Sequence, residues 1–185
     1  MQDKKLIDLC KTIYKKHKDA IDLIVDYGMT SQFQTAAETF ISNQNNMLLL
    51  SSRSRDVWFI PKSWKKKMTP NGSGWPHLSE PYPIACWFNY WEGDSIYRIG
   101  FVIEVGPMKD NAKRIKLVKT FQNKGFKGGT KALREEAKYT RVYSTYVRIN
   151  DPDNFDLIYK HIEELLEKSQ SALKDTTTII DKFKW

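Results

Sequence analysis

Two apolar, β-branched and aromatic runs, residues 84–91 and 96–105, flank Glu92-Gly93-Asp94-Ser95, and this pairing constrains the fold most. Runs of this kind, separated by a short turn containing Gly and Asp, predict a β-hairpin. Side chains alternate along a strand. Trp87 and Trp91 therefore share one face, and Cys86, Phe88 and Tyr90 share the other. Both faces are aromatic, so each needs a cover. Either helices flank the sheet on both sides, or one face meets a partner.

The remaining elements fall around this hairpin. Leu6, Leu9, Cys10, Ile13, His17, Ile21, Ile24 and Val25 recur at helical spacing over about 3–27, with Gly28 placed to end the helix. Ser31 and Gln34 form a capping-box start for a second helix, whose buried stripe is Phe33, Ala36, Ala37, Phe40 and Ile41. Residues 47–50 fit either its last turn or a short buried segment. Residues 57–60 predict a short strand into Pro61, followed by a Lys-, Pro- and Gly-rich loop to about 83. Gly106-Pro107 stops the second hairpin strand. Residues 111–123 predict a helix with Ala112, Ile115, Val118 and Phe121 on its apolar side. A Gly-Lys loop (124–131) follows, and then a short piece at 132–138, helical or extended. Residues 139–149 predict a strand. Asp151-Pro152 opens a last helix with Phe155, Ile158, Tyr159, Ile162, Leu165, Leu166 and Leu173 in its stripe, and helical content possible to residue 183.

The order is α-α-β-β-β-α-β-α, an α+β fold with an antiparallel sheet of about four strands and helices packed on it. With 185 residues, the chain suits one domain over 1–185, with a helical part (1–50) and an α+β part (55–185). No apolar run is long enough to span a membrane, and the first residues lack the apolar stretch of a signal peptide. The cytoplasm is the expected compartment, with Cys10 and Cys86 reduced and buried.

The net charge of +8 is concentrated in one place. Residues 109–141 hold eleven Lys/Arg against three acids and carry the whole excess, while the rest of the chain is balanced. This distribution predicts a basic face.

No catalytic set is recognisable. His17, His77 and His161 lack ligand spacing, no CxxC exists, and there is no GxSxG elbow. Gly125-Phe126-Lys127-Gly128-Gly129-Thr130-Lys131 resembles a phosphate cradle, but its Lys follows Thr and its loop follows a helix. It is no P-loop, although it could touch phosphate as a mobile loop. Asp94 and Glu104 across the hairpin could be two carboxylates of a Mg²⁺ nuclease site, but Gly106 stands where the activating Lys belongs. Asp94 is more simply a turn residue and Glu104 a polar residue at a strand end. The expectation is no metal, no cofactor and no catalysis.

Phe59-Ile60-Pro61-Lys62-Ser63-Trp64, Gly74-Trp75-Pro76, the strands at 84–91 and 98–107 ending in Ile103-Glu104-Val105-Gly106-Pro107, and the helix opened by Lys113-Arg114 follow one another in a characteristic order. Residues 55–125 thereby resemble the C-terminal accessory region of bacterial and phage proteins of the PD-(D/E)XK nuclease superfamily. In that family the nuclease chemistry lies in a separate N-terminal region, which the two helices here do not supply. The resemblance implies a non-catalytic recognition, regulatory or inhibitory module in a bacterial defence or phage counter-defence setting.

Two binding classes follow. Nucleic acid (DNA or RNA) would be held by Lys113, Lys116 and Lys119 on the helix, Lys124, Lys127 and Lys131 on the Gly-Lys loop, and Lys65, Lys66 and Lys67 before the hairpin. Alternatively, a protein partner such as a nuclease complex would dock on Trp64 and Trp75, making the chain an inhibitor or regulatory subunit.

Overall fold

The computed structural model describes residues 4–21, 31–68, 75, 78, 80, 82–93 and 96–185. The Gly28 helix end, His77 and the turn residues Asp94 and Ser95 lie outside them, as does most of the loop before the hairpin. The chain divides into two compact units, Met1–Ser31 and Gln32–Trp185. The first contains helix α1, Lys4–Lys16, with a bend at residue 17 and further helix over 18–21; the rest of the expected helix lies outside the described residues.

The second unit is α+β. Its elements are α2 (Gln32–Asn43), β1 (Met47–Arg53), β2 (Asp56–Pro61), α3 (Lys62–Lys65), β3 (Ile84–Gly93), β4 (Ile96–Val105), α4 (Asn111–Asn123), a 3₁₀ turn (Thr130–Leu133), β5 (Thr140–Ile149), α5 (Phe155–Lys168) and α6 (Gln170–Lys182). The five strands form one antiparallel sheet in the order β1-β2-β3-β4-β5, each paired with the strand before it. β1 is the strand that periodicity left undecided. Its Leu-Leu-Leu run has no alternation to read, and the register shifts between Leu49 and Ser51, so only pairing with β2 identifies it.

One face of the sheet is a packed aromatic core. Phe59, Phe88 and Phe101 lie side by side from three strands, with ring centroids 5.1 and 5.6 Å apart. Phe40 of α2 meets Phe88 edge-on, and Tyr159 of α5 meets Phe40. The predicted α2 stripe is buried residue for residue. Beyond α5, the chain breaks at buried Ser169 and restarts as α6. The Ser169 hydroxyl donates to Leu165 O at 2.7 Å, satisfying a carbonyl at the helix end. Asn154, rather than Pro152, starts α5. Its side chain accepts from the Leu157 N–H at 3.0 Å.

The opposite face is covered at one end. Trp58 and Trp87 stack at 4.8 Å, and Trp75 lies 5.0 Å from Trp58. The Trp75 indole N–H donates to Tyr82 O at 2.7 Å. Gly106 makes this possible, because a Cβ there would sit 2.2 Å from the Trp75 ring. Gly106 is thus a packing requirement at the position where a nuclease lysine would stand.

Helix α4 corrects a sequence expectation. It buries Arg114, Leu117, Val118 and Phe121, while Ala112 is exposed and Ile115 half-buried. Arg114 turns inward and donates to Lys138 O at 3.2 Å, Ala132 O at 3.1 Å and Thr140 Oγ1 at 2.5 Å. An arginine counted toward a basic face therefore clamps the chain between the 3₁₀ turn and β5. Burial depresses its pKa, but three acceptors compensate the lost water.

Truncating this clamp leaves two carbonyls and a hydroxyl without their donors. Arg114→Ala should cost about 2–4 kcal/mol in denaturant unfolding and speed amide exchange over residues 130–140, whereas Lys116→Ala on the same helix should stay within about 0.5 kcal/mol.

Candidate functional site

At the other end of the Trp58/Trp87 face, three rungs cross β3, β4 and β5. Trp87 pairs with Val102 and then Ser144, Asn89 with Gly100 and then Tyr146, and Trp91 with Arg98 and then Arg148. Directly opposed residues in an antiparallel sheet point to the same side, so these side chains form one surface. Between them lies an open trough of about 250 Å³.

Arginine and aromatic rings define this trough. The Arg98 guanidinium carbon lies 5.2 Å from the Trp91 ring centroid and 5.3 Å from that of Tyr146, so the cation sits between two rings. Both rings are exposed, Trp91 at 46% and Tyr146 at 65%. Arg141, which also lines the trough, lies over Trp87 at 5.1 Å. Gly100 keeps the floor low, since a Cβ there would fall 2.3 Å from Asn89 Oδ1. Asn89 Oδ1 and Arg98 Nε are buried without a hydrogen-bond partner in the chain. The trough thus offers two planar cations and two exposed rings.

One carboxylate on this same face of β4 is withdrawn. Glu104 faces Arg141 across the β4–β5 register and accepts from the Trp87 indole at 3.1 Å, with 7% of its surface exposed. Burial raises its pKa, against the opposing pull of Arg141 and the Trp87 hydrogen bond. Its candidate metal partner, Asp94, lies outside the described residues. Among the described residues, no cluster of three His, Cys, Asp or Glu could hold a metal ion. Both cysteines are free. Cys86 is buried, which pushes its thiol pKa up, whereas Cys10 is exposed rather than buried as expected. No described helix is long and apolar enough to cross a membrane.

The lysines singled out from the sequence are dispersed. Lys113, Lys116 and Lys119 lie on α4, and none of them lines the trough. Lys131 is exposed on the 3₁₀ turn. Lys65 pairs with Glu80 at 3.3 Å and Lys67 with Asp181, while Lys66 is exposed. Lys124 and Lys127 line a groove of about 370 Å³ with Phe126, Tyr143 and Lys168. Trp64 and Trp75, expected as partner anchors, are buried. The Trp64 indole donates to Thr177 Oγ1 at 2.8 Å, and 3% of Trp75 is exposed. Trp91, Arg98, Arg141 and Tyr146 were not singled out as a site. The available signal was the alternation Arg98-Gly100-Val102-Glu104, which places polar and small residues beside Trp87 and Trp91 on the same face of the hairpin.

The buried carboxyl has a pH signature. A folded pKa above the ordinary 4.5 means that, as pH rises past this value, the unfolded chain loses the proton first. Stability contributed by the protonated form is then lost up to the folded pKa. Glu104→Gln should remove this component, so the stability difference between variant and wild type should move in favour of the variant from pH 4 to pH 7 in paired urea titrations. A difference that does not change with pH would show Glu104 to be unperturbed.

No protein-family model, no curated protein and no solved structure matches this chain, and the functional reading rests on its own residues.

Proposed function

We propose that this protein is a non-catalytic nucleic-acid-binding module that holds unpaired bases on the open end of its sheet. The observation that carries this reading is Arg98 set between the exposed rings of Trp91 and Tyr146, with Arg141 on the same surface. Exposed rings on a flat sheet stack with any base that is not already stacked in a duplex, and such stacking contributes about 1–3 kcal/mol per base. The guanidiniums supply planar, permanently charged donors to phosphate oxygens. A duplex keeps its base faces covered, so the surface favours single strands.

The lysines of α4 and Lys66 have a smaller part in this reading, and Lys65 and Lys67 less still, being paired with Glu80 and Asp181. They add attraction at longer range, screened over about 8–10 Å at physiological salt. The absence of a base-reading helix motif fits recognition by stacking and charge, with little sequence preference. A cytoplasmic recognition or regulatory component of a bacterial defence or phage counter-defence system would use such a module, in keeping with the resemblance of residues 55–125.

Fluorescence anisotropy against labelled single- and double-stranded oligonucleotides at low salt tests the proposal. Wild type should bind the single strand more tightly. Trp91→Ala and Tyr146→Ala should each weaken that binding by about 1–3 kcal/mol. The Lys113, Lys116 and Lys119 triple alanine variant should lose less than either. Absence of binding to both substrates at low salt would reject the nucleic-acid reading.

A further inference from the structure

β5 ends the sheet, and its outer edge separates two features of the same sign of charge. On one side is the trough, to which Ser144 contributes. On the other is the groove lined by Lys124, Phe126, Lys127, Tyr143 and Lys168. The Gly-Lys loop joins the two. The Lys127 N–H donates to Val142 O at 2.8 Å, fastening the loop to the strand edge. The Lys127 ammonium then reaches 3.4 Å from both the carbonyl and the hydroxyl of Ser144. A cation of the groove thereby touches a residue of the trough.

The groove is net cationic. Its lining holds three ammonium groups and one carboxylate, Asp175. Gly125, at φ 84°, takes a left-handed turn that gives the loop its path back to the edge. A strand of sheet is only about 4.8 Å wide, so a flexible polyanion leaving the trough meets the groove within a few nucleotides.

Resting on the reading of the trough as a single-strand site, we propose that the bound nucleic acid crosses the β5 edge and continues into the lysine groove. Bases stack on Trp91 and Tyr146, and the phosphates that follow are held by Lys127, Lys124 and Lys168. The site is therefore bipartite, and its second part engages only strands long enough to turn the edge.

The test is a length series of oligothymidylates, 3 to 12 nucleotides, titrated against the full chain at several salt concentrations. Wild type should gain affinity between the trimer and the 12-mer. A Lys124→Gln, Lys168→Gln variant, which keeps Lys127 beside the trough, should bind the trimer within about twofold of wild type, while its 12-mer affinity falls about tenfold and its log–log salt slope drops by about 1.4, the value for two lost phosphate contacts. Retained trimer binding by this variant separates lost groove contacts from misfolding. Wild type that binds the trimer without gain at 12 nucleotides, or a groove variant that loses both lengths equally or neither, overturns the bipartite site and leaves the trough intact. Wild type that binds no length overturns the trough reading as well.

Discussion

The ten paired positions between β3 and β4 decide on which side of the sheet every aromatic of the hairpin stands. A slip of β4 by one residue against β3 would send Phe101 to the trough side and turn Arg98 toward the helices. The register is held by what each face requires. Helices α2 and α5 supply apolar partners to one side, and Trp75 completes a tryptophan cluster on the other. The trough is what remains where neither cover extends. Its position follows from the packing of both faces.

Much of this was legible in the sequence because it depends on period. The α2 stripe, the hairpin and the division of its aromatics between two faces follow from spacing alone. β1 was not legible, because three consecutive leucines satisfy a helix and a strand equally well and its bulge breaks any alternation. The inward turn of Arg114 was not legible either. Its acceptors come from residues 18 to 26 positions away, and without them burial of a guanidinium would be prohibitive. The site was missed for a related reason. Charge counting draws attention to dense runs of lysine, whereas Arg98, Trp91 and Tyr146 are scattered in sequence and meet only through the β3–β4–β5 register.

The distribution of charge therefore has a different meaning in space than along the chain. The basic segment at 109–141 contains one structural clamp, a set of solvated helix lysines, two loop lysines beside β5 and Arg141 at the trough. Only the last two groups stand near the open sheet. Likewise the tryptophans divide by role. Trp58, Trp64, Trp75 and Trp87 are buried, and Trp91 is exposed with Arg98 over its ring.

The simple succession of the strands has a consequence for how the protein is made. Each strand pairs with its immediate predecessor, so the sheet can grow one strand at a time as the chain leaves the ribosome. The connections are tight at β1–β2 and β3–β4 and long, residues 62–83 and 106–139, before β3 and β5. α5 comes last among the elements that cover the phenylalanine face, after β5. Until it is synthesised, the growing sheet carries Phe59, Phe88 and Phe101 with only α2 to shield them. Complete cover of the phenylalanine face therefore waits for the C-terminal part of the chain, although the rings it covers come from strands made much earlier.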